Sequence, residues 1–547
     1  MTRDEWRMLL CELGLSWHGV STSAWIMYAG LLSVSRFNLP TFDTLQDLNG
    51  CNLPYLKSLT IMTIFTTMNL ADGRLSALLT PLNILAIALA VLWILGSLRY
   101  VWWRAFSRQG LPKSLPWVGA SDGGIRSRAK ASLRSFLGLR QLLLDGYAEC
   151  SQNGKSFVLP NLVNGHEVVL PANCMGWVLE QPESVMSQFE TNRQFMCGDY
   201  TMLGLLEGTV WSKIGDRAKR ELTQGLDEFA AVMVDEINDT LRSLWGSYQD
   251  EWHEMVLYDI MLEAMGRIVN RVLVGLPLCR HPGYVQASTG FSKYILLPAM
   301  AIELLPGFMK PVVGPVLTYW DRLQYKRMRS YVVPMFRERV ARVQRGEKLG
   351  GEPNDYIQWA LKDAIKHGEN IDTGEFAELN ARRLAITTFT AVQSSAITIT
   401  NAIIDIAACG DSVRVQDELR AEVASAKGVW TRYSLARLPR LDSVLTETLR
   451  LWGILTHGVT KVVVAREGVV IPTGERIPRG AKVGIASYGP HMDEAVYGED
   501  PFVFDPFRFT RPEVASILQR REGALPGLGF VTTSEHYMGF SHGRFAW

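Results

Sequence analysis

Residues 78–98, LLTPLNILAIALAVLWILGSL, run for 21 positions without a charged side chain. A helix needs about 20 apolar residues to cross the hydrocarbon core of a bilayer. A run of this length commits its segment either to lipid or to the middle of a large core. The flanks choose lipid. Arg74 precedes the run; Arg99, Arg104, Arg108 and Lys113 follow it, with Trp102 and Trp103 at interface level. The excess of positive charge is C-terminal, which puts that side in the cytosol. A cleaved leader is disfavoured, because no small-residue cleavage site follows and charge resumes at once. The expectation is one transmembrane helix, with everything after Arg99 cytosolic.

Three regions follow from this anchor. Residues 1–67 show no clear amphipathic period and read as an atypical extension, or as translated upstream sequence, ahead of Met68. Residues 68–116 hold the anchor and a short stiff linker, GLPKSLPWVG, in which Pro112 and Pro116 fix the backbone. Residues 117–547 form the remaining domain. Its first part is mostly helical: DRAKRELTQGLDEFAAVMVDEINDTLRSLW repeats apolar residues at helical spacing. RRLAITTFTAVQSSAITITNAIIDIAA is apolar nearly all round and should be a central helix. TKVVVAREGVVIPTGERIPRGAKVGIAS then alternates strand-like stretches with Gly/Pro turns, as a small sheet does. The fold class expected is mainly α with a small β region.

Charge excludes some functions. Lys+Arg 56 against Asp+Glu 55 leaves no basic surface excess that would favour nucleic acid. Seven scattered cysteines without a CxxC pair argue for reduced thiols, not for a disulfide framework or a zinc site.

The chemistry-bearing residues come late and in order. In LDSVLTETLRLWG, Glu447 and Arg450 lie three apart and share one helix face. Alone, such a pair is an ordinary surface ion pair worth about 0–1 kcal/mol. FDPFRF follows and sets Arg508 between aromatics, and the chain ends in the Gly-rich EHYMGFSHGRFAW, with Phe540 and Gly543 in the spacing F-x-x-G.

This ordered set resembles the cytochrome P450 family, the haem-thiolate monooxygenases. The resemblance covers roughly Met68 to the end. It is nearest in texture to membrane-anchored fungal enzymes of secondary metabolism, of the ent-kaurene-oxidase-like kind, through NGKSFVLPN, LEQPESVMSQFETNRQFMCGDYTML and ASYGPHMD. The resemblance implies a cytochrome P450 fold, a buried triad of Glu447, Arg450 and Arg508, and heme b as cofactor. It implies NADPH-cytochrome P450 reductase as electron donor and a lipophilic, terpenoid-like substrate. It also implies an endoplasmic reticulum location, with the catalytic domain in the cytosol. The family places an acid and an alcohol side by side on its oxygen-activating helix. The matching FTAVQSSA puts Gln393 at the acid position and Ser394 at the alcohol position, with Ser395 next. A hydroxyl can order a water, whereas glutamine cannot shuttle a proton as an acid does. Read without the family, the serines bond backward to helix carbonyls.

The family loop continues F-x-x-G-x-x-x-C, where the cysteine thiolate is the axial ligand of iron. Here that register falls on Trp547, and an indole nitrogen offers iron no lone pair. Arg544, beside Phe545, takes the place of the basic residue expected at a haem propionate. Cys409 lacks the loop context, and His536 and His542 are out of register. The fold is therefore expected to lack its C-terminal proximal part, with no metal ligand at the register. The alternative function is a catalytically dead, haem-less, membrane-anchored fragment. An intron interrupting a cysteine codon after TG would, if read through, give Trp and then a stop. Sequencing the spliced transcript across codon 547 tests that expectation.

Overall fold

The computed structural model describes residues 91, 93–100, 102–103, 106–120, 124–205, 220–246, 254–347, 353–371, 374–426, 430–453, 457–516 and 529–543. Most of the anchor run, residues 78–90, and the whole of residues 1–67 lie outside them. Residues 93–98 are helical. The described residues fall into two compact units, one ending at residue 103 and the other running from residue 106 to residue 543. In the larger unit the linker does not stand apart: Leu111 and Leu115 are buried in the core that backs the sheet.

Helices of the larger unit include α1 (Ile125–Glu149), α2 (Met175–Glu180), α3 (Leu226–Leu244), α4 (Leu257–Leu273), α5 (Pro282–Tyr294), α6 (Lys310–Leu317), α7 (Tyr319–Gln344), α8 (Tyr356–Lys366), α9 (Gly374–Ala408), α10 (Ser412–Ser425), α11 (Pro439–Trp452) and α12 (Tyr488–His491). Helix α9 is central, as its apolar character on all sides predicts. It packs along α4, α5, α7, α8 and α11. Phe291, Phe336, Trp359, Leu384 and Phe389 meet in the core around it. Among the described residues α9 is also the helix long and apolar enough to cross a bilayer, judged by length and composition alone. Its packing inside the helical bundle accounts for that composition.

The sheet takes more of the chain than the sequence pattern suggests. The strands are β1 (Phe157–Leu159), β2 (Glu167–Val169), β3 (Met186–Ser187), β4 (His457–Val463), β5 (Val469–Val470), β6 (Arg476–Ile477) and β7 (Lys482–Ala486). Five of them form one sheet in the order β1-β2-β7-β4-β3, and β5 pairs with β6 separately. The pairing β2–β7 is parallel and the others are antiparallel. Strands β1, β2 and β3 come from the stretch read as mostly helical. At two or three residues each they are too short to show a period of two.

Gly484 sits opposite Thr460 in β4–β7, and a Cβ there would lie 2.2 Å from the Val459 carbonyl oxygen. The obstacle is backbone, which cannot rotate away. Gly484→Ala is expected to lose about 3 kcal/mol, the upper end for overpacking. A urea midpoint shift separates this from a silent change.

Candidate functional site

Helix α11 starts with Pro439 at its first turn, where a missing N–H costs nothing. Its buried face carries Ser443, Thr446, Glu447, Thr448 and Arg450, an unusual load of polar groups for a core. Each of the charged ones is matched. Arg450 donates through Nε to Glu447 Oε2 at 2.8 Å and through Nη2 to Oε1 at 2.7 Å. Arg508, brought in by FDPFRF, donates through Nε to the same Oε1 at 3.0 Å. The Asp505 backbone N–H adds a bond to Oε1 at 3.2 Å. Glu447 and Arg450 are 0% exposed and Arg508 is 3% exposed.

One carboxylate and two guanidiniums leave an excess positive charge in the interior. Backbone carbonyls absorb it. Arg450 Nη1 donates to the His491 carbonyl at 2.6 Å. Arg508 Nη1 donates to the Tyr497 carbonyl at 2.6 Å, and Nη2 to the Val503 carbonyl at 2.9 Å. The Arg450 guanidinium also lies 4.8 Å from the centroid of the Tyr497 ring, a cation–π contact.

The terminal loop is held on this triad. His491 accepts the Met538 backbone N–H at Nε2, 2.9 Å away, while Nδ1 faces the Arg450 carbonyl at 3.2 Å. This pattern assigns the proton to Nδ1. Burial, then the nearby Arg450 charge, pushes the imidazole pKa down to about 3, so the ring stays neutral. Tyr537 stacks on it at 5.5 Å. Tyr497 donates its hydroxyl to the His536 carbonyl, and the Phe530 N–H binds Asp442 Oδ1. Phe540 packs edge-on against Phe530 at 5.1 Å. Gly543 has φ +64°, and a Cβ there would come within 3.0 Å of Leu179 on α2. The left-handed backbone favours glycine here, and any side chain would also push the Leu179 side chain aside by a few tenths of an ångström. Arg544 and Trp547 lie outside the described residues.

The central-helix candidates sit elsewhere. Gln393 Nε2 donates to the Tyr258 hydroxyl on α4 at 2.6 Å, and its Oε1 is buried without a hydrogen-bond partner. Ser394 Oγ donates back to the Thr390 carbonyl at 2.8 Å. Ser395 is half-buried beside it. Helix α9 meets the triad helix only further on, where Asp405 accepts hydrogen bonds from Thr448 Oγ1 and Trp452 Nε1. Asp405 is twelve residues beyond Gln393, roughly 18 Å along the helix axis. The structure therefore brings Glu447, Arg450, Arg508, Phe540 and Gly543 into one assembly and keeps Gln393, Ser394 and Ser395 outside it. Burial pushes the Asp405 carboxyl up to about 7. Sequence reasoning missed Asp405, His491 and Tyr497. Of these only His491 carried a signal, within SYGPHMD just after a strand.

The described thiols are committed to packing. Cys197 donates to the Ala299 carbonyl at 3.2 Å and Cys409 to the Ile406 carbonyl at 3.1 Å. Cys150, Cys174 and Cys279 are buried. Burial pushes the Cys197 thiol up to about 12 and the Cys279 thiol up to about 11, which keeps both neutral. His542 Nδ1 lies 2.9 Å from Thr533 Oγ1. Among the described residues no group of three His, Cys, Asp or Glu side chains is placed to hold a metal ion.

A family model described as Cytochrome P450 matches residues 183–545. The chain is 29% identical over 444 residues to the cytochrome P450 monooxygenase polB of Polytolypa hystricis, covering 79% of this chain and 83% of that one. It is 26% identical over 451 residues to the cytochrome P450 monooxygenase astC of Aspergillus terreus, covering 81% and 83%. It is 31% identical over 329 residues to the cytochrome P450 monooxygenase 151 of Postia placenta, covering 60% and 63%.

Proposed function

This chain belongs to the cytochrome P450 family, and from that premise we propose a monooxygenase that oxidises a lipophilic, terpenoid-like secondary metabolite. The observation that carries the reading is the buried Glu447–Arg450–Arg508 triad closed onto the terminal loop through His491. A surface ion pair has no use for this architecture. Dioxygen and electrons from NADPH-cytochrome P450 reductase complete the proposed reaction. The names of the relatives support the reaction class and say nothing of substrate.

The family implies haem, and heme b is the form proposed. The scaffold beneath the loop is built, but the ligand does not fit. The register position holds Trp547, the described thiols are neutral or bonded elsewhere, and thiolate is what favours O–O cleavage in this family. Gln393 and Ser394 are proposed to order water near the central helix, a role open to an amide and a hydroxyl. Ser394 Oγ can accept from that water while its own proton stays on the Thr390 carbonyl.

That misfit favours a second reading, a catalytically silent membrane-anchored protein. Reducing the purified full chain under carbon monoxide decides between them. The expected result is a cooperatively folded chain without the thiolate-type Soret signature. A normal signature would overturn the second reading and establish a ligand that these residues do not reveal.

The location proposed is the endoplasmic reticulum membrane, single-pass, with the domain cytosolic. The uncharged run at 78–98 and its basic C-terminal flank support it. So does an exposed apolar stretch comprising Phe308, Val312 and Val316 on and before α6, followed by Tyr319 and Trp320.

A further inference from the structure

Up to its kink at Gly138, helix α1 is built inside out. Its buried residues are Ala129, Ala131, Ser132 and Ser135. Its large apolar residues, Ile125, Leu133, Phe136 and Leu137, are all exposed, Leu133 at 61%. A helix that serves only a soluble core turns its leucines inward. Single apolar side chains on a surface need no explanation, but a whole helix face of them does.

The same face is basic. Arg126, Lys130, Leu133 and Leu137 follow one another at spacings of four, three and four, so they run along one side of the helix, with Arg134 beside them. All three basic side chains are exposed, and none forms an ion pair among the described residues. From Ile125 to Leu144 the chain has no Asp or Glu. Leucines interleaved with lysine and arginine on one exposed face suit a helix lying at the surface of an anionic membrane. An acidic soluble partner would match the charges but leave the leucines unexplained.

Arg128, on the opposite side of the helix, ties α1 to an early point of the chain. It donates through Nη2 to the Phe106 carbonyl at 3.5 Å. Phe106 is eight residues beyond Leu98, the end of the uncharged run, and eight residues reach at most about 28 Å. The start of α1 is therefore held close to where the chain leaves the anchor run. We propose that the outer face of α1 lies on an anionic leaflet, with Leu133, Phe136 and Leu137 at the acyl boundary and Arg126, Lys130 and Arg134 among the headgroups. The partner is the charged bilayer surface as a whole, not one bound lipid. The inference rests on the membrane reading above and is independent of haem and of catalysis.

The test uses the full chain with lipid bilayers of phosphatidylcholine, alone or mixed with phosphatidylserine. An apolar diazirine dissolved in the bilayer is photolysed, and carbene insertion is mapped by mass spectrometry, with residues 78–98 as internal standard. Residues 131–140 should be labelled roughly five-fold more strongly in the phosphatidylserine bilayers, and high salt should remove the difference. Each basic side chain near an anionic surface contributes several-fold, so Arg126→Gln, Lys130→Gln and Arg134→Gln together should weaken docking on the order of 100-fold and bring labelling down to the phosphatidylcholine level. Leu133→Ser with Leu137→Ser should lower the labelling of Phe136. Equal labelling in the two lipids overturns the proposal, as does a triple variant that labels like wild type. Should the triple variant fail to fold, the salt dependence of the wild type decides. A dimer in neutral detergent that the serine variant dissolves assigns the face to a second copy and also overturns the proposal. Labelled 78–98 with unlabelled 131–140 sinks this face alone. Unlabelled 78–98 sinks the anchor; phosphatidylserine-dependent labelling of 131–140 then still upholds the face, and its absence overturns both.

Discussion

Glu447→Ala and Arg450→Ala each lower stability by about 3–5 kcal/mol, the range for breaking a buried ion pair. The reason lies in what is left behind. Removing Glu447 strands two guanidiniums, Arg450 at 0% and Arg508 at 3% exposure, whose remaining partners are carbonyls. Removing Arg450 leaves a carboxylate with Arg508 and the Asp505 N–H, and frees the His491 carbonyl that Arg450 Nη1 had tied. Both changes reach the terminal loop, because His491 takes its Met538 bond from the same place in the chain. Urea midpoints measure the loss, and protease cutting after residue 529 reports whether the loop has detached. A surface pair would cost less than about 1 kcal/mol. Near-wild-type midpoints in both variants would remove the argument that the triad holds this fold together.

The triad was legible in the sequence because its members sit in short motifs at fixed spacing. Glu447 and Arg450 share a helix face by geometry, and Arg508 stands between aromatics in a segment rich enough to mark a loop. Helix α9 was legible because an element apolar on every side has to be central. What stayed hidden was tertiary. Strand β2 takes its parallel partner β7 from more than three hundred residues away, and three residues carry no readable period. Asp405 and His491 look like ordinary polar residues until burial moves their titration, and burial is a property of the packed chain.

Asp321→Leu is expected to stabilise the chain at neutral pH by about 2–4 kcal/mol, a reversal of what most core substitutions do. Asp321 lies in the first turn of α7 at 1% exposure, and neither carboxyl oxygen has a hydrogen-bond partner. Burial pushes its pKa up to about 8, with Arg322 opposing weakly. The native state therefore keeps the proton that the unfolded chain gives up near pH 4. A raised carboxyl pKa contributes stability at low pH that is lost as pH rises from about 4 to about 8. At 1.36 kcal/mol per unit, the full penalty at pH 7 is about 4 kcal/mol, and relaxation around the site trims it. Leucine keeps the branched four-atom skeleton of the side chain and has no proton to lose, and the larger bulk of its methyls takes back part of the gain. The gain should be small near pH 4, grow through pH 5–7 and level off above about 8. His491 and Asp405 also make the wild type pH-dependent, the first losing stability as pH falls from about 6.5 towards 3 and the second as pH rises towards 7. Both belong to the assembly around α11, so their contributions should cancel in the variant-minus-wild-type difference. Chemical denaturation of the two proteins at pH 4.5, 6 and 8 reads that difference directly. A gain that does not change with pH, or a loss at all three values, would show that Asp321 has a partner in solution and is not the neutral, unpaired acid that the packing implies.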